Sequence, residues 1–139
     1  MRKIRIGVLG AGPFANHFLP LFKAHPMVED VYFAERMKER RATTAEKFGL
    51  TTTFDDFDDL LKSNVDAIGV FSQRWTHAPL AMKAMRAGKH VFSAVPAAIT
   101  LEELEELIAT VKETGQLYML IRAPYRASYE AANSKPTSM

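Results

Sequence analysis

Two glycines, one residue apart, interrupt the first apolar run of the sequence. Gly10, Gly12 and Ala15 stand in the order G-x-G-x-x-A, directly after the run IRIGVL and directly before a segment with helical apolar spacing. Without a Cβ, Gly10 permits a tight turn, and Gly12 leaves room for a bulky group beside the backbone. The unpaired N–H groups and the positive end of the following helix attract phosphate. The spacing therefore predicts a phosphate-binding turn.

An acidic residue follows this turn at the distance that a dinucleotide site requires. Glu35 ends the second predicted strand, roughly 20 residues further on, where a carboxylate accepts hydrogen bonds from the adenosine ribose. The turn, its strand–helix context and this acid together predict a nicotinamide dinucleotide site. The alternative is a tight turn in a fold that binds no nucleotide. The predicted turn residues are Gly10, Ala11, Gly12, Pro13 and Phe14.

The residues after the second predicted strand point to two different cofactors. Glu35 favours NAD, because a carboxylate repels the 2′-phosphate of NADP. Arg36 favours NADP or a stack on the adenine, and further basic residues follow it. The alternative is an ordinary solvated helix face. We expect NAD, with NADP as the second possibility. The further basic residues are Lys38, Arg40 and Arg41.

Strands and helices alternate along the chain, and this order positions the turn. Apolar patterning predicts strands over residues 3–9, 28–34, 51–54, 67–71, 89–93 and 116–121, and helices over 13–24, 36–48, 55–62, 78–87 and 101–114. Gly49 is expected to end the second helix, and Thr100 and Glu103 to form a capping box. Such alternation predicts an α/β fold with a doubly wound parallel sheet (Rossmann fold), three layers and about six strands.

Bulk composition sets limits on the domain organisation and on the partners. With 139 residues, 47% hydrophobic and 24% charged, we expect one globular domain over residues 1–121 and a C-terminal arm or disordered tail over 122–139. The net charge of +2 gives no reason to expect a nucleic-acid partner. Cysteine is absent, and no apolar run approaches the roughly 20 residues of a membrane span. We expect a cytoplasmic protein with no metal site.

The stretch DAIGVFSQRWTHAPLAMKAMRAGKHVFSAVPAAITLEELEELI adds a second set of motifs. Together with the glycine turn, it makes residues 1 to about 121 resemble the N-terminal domain of the glucose-fructose oxidoreductase and inositol dehydrogenase family, Gfo/Idh/MocA. The resemblance implies that the loop after the fourth strand borders the cofactor. The alternatives are that Arg74 is an exposed arginine at the rim and that His77 has only a structural role. The matching loop residues are Ser72, Gln73, Arg74 and His77.

The chain departs from that family at its E-K-P segment, where Ala94, Val95 and Pro96 stand. The resemblance implies that the family's lysine lies beside the nicotinamide and the reacting hydroxyl. Valine neither donates nor accepts a proton, so we assign no catalytic residue. Pro96 fits a rigid loop that brings the backbone of Ala94 and Val95 against the nicotinamide or its ribose.

Members of the family continue into a second α/β domain with the substrate pocket, and this sequence ends soon after its last predicted strand. We expect an NAD(P)-binding domain of an oxidoreductase that acts on a sugar-like or polyol CH–OH group by hydride transfer, incomplete for catalysis as this chain. A substrate would bind only if a second domain or subunit is supplied. The alternatives are a non-catalytic dinucleotide-binding or redox-sensing module and an interaction protein. We also expect exposed apolar surface between residues 92 and 121, and a homo-oligomer.

Overall fold

A computed structural model describes residues 1–122, and the arm or tail expected at 122–139 lies outside this part from residue 123 onward. The strands are β1 (Ile4–Leu9), β2 (Val28–Ala34), β3 (Thr53–Phe54), β4 (Ala67–Val70), β5 (His90–Ala94) and β6 (Tyr118–Ile121). The α-helices are α1 (Pro13–Ala24), α2 (Lys38–Phe48), α3 (Phe57–Lys62), α4 (His77–Arg86) and α5 (Leu101–Thr114). A short 3-10 helix (Arg74–Thr76) precedes α4.

The strands form one parallel sheet in the order β3-β2-β1-β4-β5-β6. Helices α1 and α2 pack on one face through a core that includes Leu19 and Phe33. Helices α3, α4 and α5 cover the other face through a core that includes Leu60, Met85 and Leu107. The strand order reverses between β1 and β4, as a doubly wound sheet requires. The predicted three-layer, six-stranded fold is confirmed.

Small differences from the predicted boundaries have local causes. Helix α3 begins at Phe57, two residues later than predicted, because the Asp56 carboxylate accepts from the N–H of Asp58 at 2.8 Å and caps the helix. At α5 the Thr100 hydroxyl accepts from the N–H of Glu103 at 3.1 Å, as expected. The Glu103 carboxylate accepts from Ile99, one residue before the expected partner. In the described part of the chain, no helix combines the length and apolar character that crossing a bilayer needs.

A cluster of aromatic rings fastens α1 to the carboxyl end of β4. The Phe71 ring lies 5.7 Å from the ring of Phe14, 5.6 Å from Phe18 and 6.4 Å from Phe22, measured between centroids. Gly69 makes room for it, because a Cβ there would lie 2.8 Å from a carbon of the Phe71 ring. Rings at these separations attract each other beyond the free energy of burial alone. The cluster therefore holds the start of α1 above the sheet.

The turn after β1 is pressed against the end of β4. Gly10 has a φ of +108°, and a Cβ there would lie 2.5 Å from the carbonyl oxygen of Phe71. The Gly10 N–H donates to the Ala34 carbonyl at 3.1 Å, and the Phe71 N–H donates to Leu9 at 2.9 Å. Only glycine combines this backbone conformation with this approach. The ends of β1, β2 and β4 therefore meet at one turn.

At the opposite edge of the sheet, Asp66 ties the N-terminal segment to the start of β4. Its carboxylate accepts from the Arg5 N–H at 2.8 Å and from the Arg2 guanidinium at 2.7 Å. The Arg5 N–H first, and then the arginine side chain, lower the pKa of this carboxyl, against an opposing contribution from burial. Because the lowered pKa favours the ionised form in the folded state, the carboxylate stabilises the fold above its unfolded pKa.

We expect the substitution Gly10→Ala to lower the free energy of unfolding by at least about 2 kcal/mol, since it adds a steric clash to an unfavourable φ. Gly88→Ala is the matched control, because Gly88 has a φ of +81° with no atom within 4 Å of the added Cβ. That control should show only the backbone cost, roughly 1 kcal/mol. Urea unfolding followed by circular dichroism measures both. Equal losses would contradict the steric role of Phe71.

We expect Asp66→Asn to lower the free energy of unfolding at neutral pH by about 1 kcal/mol. The difference from wild type should shrink as the pH falls through the lowered pKa of Asp66, because protonation removes the same charge from the wild-type protein. Urea unfolding at a series of pH values tests this. Glu29→Gln serves as control, because the carboxylate of the Arg5–Glu29 pair is 48% exposed and the pair should contribute little. If the difference in unfolding free energy between wild type and Asp66→Asn does not change with pH, the ionised Asp66 carboxylate does not stabilise the fold.

Candidate cofactor-binding site

A cavity of about 710 Å³ opens at the carboxyl edge of the sheet, beside the point where the strand order reverses. Parallel α/β sheets bind their ligands at this place. Each neighbouring strand contributes the residues that follow it. The lining comprises residues 9–14 after β1, residues 35–37 and 40 after β2, Asp55 and Phe57 after β3, and residues 71–73, 76 and 80 after β4.

The first wall of the cavity is the start of α1. Gly12 occupies the N-cap position, Pro13 begins the helix, and no side chain caps it. Helices α3 and α5 are capped by Asp56 and Thr100, whereas α2 and α4, like α1, have no side-chain cap. A Cβ on Gly12 would meet no atom within 4 Å. The uncapped N–H groups and this open space together fit a phosphate group.

The second wall follows β2 and carries both signs of charge. Glu35 is half-buried, and its carboxylate accepts from the N–H of Met37 at 3.2 Å. Arg41 turns away and donates to the Glu35 carbonyl at 2.7 Å. Arg36 and Arg40 line the cavity, and neither forms an ion pair within residues 1–122. Arg36, Arg40 and Arg41 are close in the sequence but do not form one group in the structure: the first two line the cavity and the third does not.

The third wall is the loop after β4. The hydroxyls of Ser72 and Thr76 lie 2.7 Å apart, and the Thr76 hydroxyl donates to the Gln73 carbonyl at 2.6 Å. Because that proton is used, the Ser72 hydroxyl donates to Thr76 and keeps a free lone pair. Ser72 and Gln73, two of the predicted site residues, line the cavity together with Thr76, which was not among them.

Five of the predicted site residues lie outside the cavity lining. Arg74 is exposed at the rim, next to Trp75, which is 55% exposed. His77 is buried, and its ring touches the main-chain carbonyls of Ser72 and Pro96. The remaining three lie at the end of β5 and just after it: Ala94, the last residue of the strand, is buried, Val95 is exposed and Pro96 is half-buried after a cis peptide bond.

The acidic residues near the start of α3 have three different roles. Asp56 caps the helix, and Asp58 pairs with Lys83, whose ammonium group lowers the pKa of that carboxyl. Asp55 lines the cavity together with Phe57. The carboxyl ends of parallel strands share one edge of the sheet. The position of these two residues directly after β3 could therefore have predicted that they line the cavity. Among the residues described, no group of three or more His, Asp or Glu is placed to hold a metal ion.

Comparisons with known proteins agree with this geometry. Residues 4–121 match the family model described as "Oxidoreductase family, NAD-binding Rossmann fold". A dTDP-3,4-didehydro-2,6-dideoxy-alpha-D-glucose 3-reductase of Streptomyces violaceoruber is 34% identical over 117 residues, which cover 83% of this chain and 34% of the relative. A glycosyl hydrolase family 109 protein of Saccharopolyspora erythraea is 36% identical over 121 residues, 80% of this chain and 26% of the relative.

A solved structure shows the same arrangement of elements. The 3-ketoreductase from Actinomadura kijaniata, in complex with TDP-benzene and NADP, superposes with a TM-score of 0.79 at 29% identity, covering 98% of this chain and 45% of that one. The chain thus spans only a quarter to a third of the length of the two curated relatives. Because the family model matches nearly all of the described residues, the chain belongs to the Gfo/Idh/MocA oxidoreductase family, of which it comprises the NAD-binding Rossmann domain.

Proposed function

We propose that residues 1–121 form the cofactor-binding domain of an oxidoreductase that acts on a sugar-like or polyol CH–OH group. The observation that carries this proposal is the open space beside Gly12, which lies between an uncapped helix start and the carboxylate of Glu35. A tight turn without a ligand needs glycine at position 10 for its backbone, but not at position 12, where φ is −75° and nothing adjoins the Cβ position.

The order of the three walls along the cavity indicates which end of the cofactor lies beside which strand. The pyrophosphate belongs at the start of α1, where Gly12 exposes main-chain N–H groups. The adenosine belongs beyond β2, where the Glu35 carboxylate meets the ribose hydroxyls and Phe57 offers an apolar ring. The nicotinamide therefore belongs on the other side of β1, toward the loops after β4 and β5. Ser72 and Gln73 border that half of the cofactor, and Ala94, Val95 and Pro96 approach it through their main chain.

The choice between NAD and NADP rests on three side chains. Glu35 is half-buried and its carboxylate is held by the Met37 N–H, so it faces the adenosine ribose in a fixed orientation. Arg36 and Arg40 line the same cavity without a carboxylate partner in the described residues, and arginine binds phosphate well. We propose NAD as the preferred cofactor and NADP as an accepted one. The NADP bound to the Actinomadura reductase supports the second part.

The chemistry of the whole protein needs more than these residues. The bound cofactor supplies a hydride donor or acceptor. The described chain orients it, but Val95 cannot take the proton of a substrate hydroxyl. We therefore propose that a group other than residue 95 transfers the proton, and that the substrate pocket involves a further domain or subunit. The names of the two curated relatives refer to sugars, which supports a sugar-like substrate.

Val95 also favours a second candidate function, a non-catalytic dinucleotide-binding or redox-sensing module. Such a module would bind the cofactor equally well but would not oxidise or reduce a CH–OH group. Turnover of sugar or polyol substrates by the longest native form of the protein separates the two functions. For either of them we propose the cytoplasm as the location, where nicotinamide dinucleotides are available.

We expect the 139-residue chain to bind NADH at micromolar to low-millimolar affinity and NADPH more weakly, as calorimetric titration would measure. Gly12→Ala should weaken NADH binding at least about tenfold, because its methyl group occupies the phosphate space. The same substitution should leave the urea midpoint unchanged, since the added Cβ meets no atom. Glu35→Gln should reduce the preference for NADH over NADPH. A wild-type chain that binds neither cofactor would refute the proposal.

We propose that this chain self-associates through the β6 edge of its sheet. Leu117, Met119 and Leu120, on or next to the edge strand β6, are 72%, 58% and 46% exposed, and α5 carries the exposed Leu101 and Leu104 as well. Exposed apolar side chains in such number can mark an interaction site. Light scattering should report an oligomer for the wild-type chain and a smaller species for Leu117→Lys combined with Met119→Lys. Leu21→Lys, at a 54% exposed position on α1, is the control. A wild-type monomer at high concentration would contradict the proposal.

A further inference from the structure

One buried imidazole joins two loops at the carboxyl edge of the sheet. His77 is 3% exposed, and both of its ring nitrogens face main-chain oxygens. Nδ1 lies 2.9 Å from the carbonyl oxygen of Pro96, and Nε2 lies 2.8 Å from that of Ser72. Nineteen residues separate His77 from Pro96, so this contact is tertiary rather than local. The ring thereby connects the loop after β4 to the loop after β5.

The two loops have few other ties. The loop after β4 is held internally by the hydroxyls of Ser72 and Thr76. Among the described residues, residues 95–99 have one main-chain to main-chain hydrogen bond, from the Val95 N–H to the Ile121 carbonyl on the edge strand β6, at 3.0 Å, and Ala97 and Ala98 pack against the core. The Val95 side chain is exposed and carries no polar group. Of the hydrogen bonds in this part of the chain, those of the His77 ring are the ones that join the two loops directly.

We infer that His77 is the positioning residue for the nicotinamide half of the cofactor, acting through the main chain of Ser72 and Pro96 rather than by touching the cofactor. This inference rests on the proposed function, which places the nicotinamide between these two loops. The adenosine half lies beyond β2 and is bordered by Gly12 and Glu35, which His77 does not contact. The ring should therefore affect one half of the cofactor and leave the other unchanged.

The chemistry of the ring explains why other residues would not replace it. A carbonyl oxygen only accepts, so each contact is a hydrogen bond when the facing nitrogen carries a proton, one in the neutral ring and both in the protonated ring. Phenylalanine fills a similar volume but offers no N–H donor to either of the part-buried carbonyls. Glutamine retains an N–H donor for one of the two loops. The series histidine, glutamine, phenylalanine therefore loosens the connection in steps while it keeps the site filled.

The test compares two ligands that share the adenosine half. NADH carries the nicotinamide, whereas ADP-ribose carries the same adenosine, pyrophosphate and second ribose without it. We expect His77→Phe to weaken NADH binding about tenfold in calorimetric titration of the 139-residue chain, with ADP-ribose binding within about twofold of wild type. His77→Gln should give an intermediate loss for NADH. His17→Phe, the same substitution at an exposed position of α1, should change neither affinity.

The outcomes separate a positioning role from a purely structural one. Selective loss of NADH binding supports the inference, and partial rescue by His77→Gln strengthens it. Equal losses for NADH and ADP-ribose would overturn it, because a general loss of folding weakens both ligands alike. An unchanged NADH affinity in His77→Phe would overturn it as well, while leaving the proposed function intact. A wild-type chain that binds neither ligand would instead overturn the proposed function, and this inference with it.

Discussion

The close approach of the Gly10 backbone to the carbonyl of Phe71 is the constraint on which the site depends. It sets the distance between the ends of β1 and β4, the two strands on either side of the reversal in strand order. From Gly10 the chain passes directly into the open turn and α1. From Phe71 it passes into the loop that carries Ser72 and Gln73. One contact thus sets the position of the start of α1 relative to the loop after β4, and the aromatic cluster around Phe71 stabilises that arrangement.

The two halves of the cavity are built by different means. Beyond β2 the cavity is lined by one oriented carboxylate and two guanidinium groups. On the other side, Val95 stands outside the lining, where the family resemblance implies a lysine. There a buried ring links the main chain of the loops after β4 and β5. This division fits a domain that holds a cofactor and leaves proton transfer to another part of the protein.

Sequence patterns predicted the parts of this structure that depend on local rules. The bounds of helix 13–24, strand 28–34 and helix 101–114 agree with the structure, because apolar period and caps determine them. The glycine turn was also predictable, since its spacing records a backbone requirement. The partners of Arg41 and His77 were not predictable, because hydrogen bonds to distant carbonyls leave no periodic trace. Asp55 and Phe57 were missed because the order of the strands in the sheet, rather than distance in the sequence, brings them to the cavity, whereas Thr76 lies within the predicted loop and was not singled out.

Trp75 stands on the short 3-10 helix between the cavity-lining residues Gln73 and Thr76 and next to the buried ring of His77. It is the one tryptophan in the sequence, and it is 55% exposed. The position of this side chain has a consequence for the fluorescence of the protein. All indole emission from this chain originates at the loop after β4, on the side of the cavity where we propose that the nicotinamide binds, and reduced nicotinamide absorbs in the range where indole emits. Under that proposal, Trp75 is an intrinsic fluorescent reporter close to the redox-active end of the cofactor.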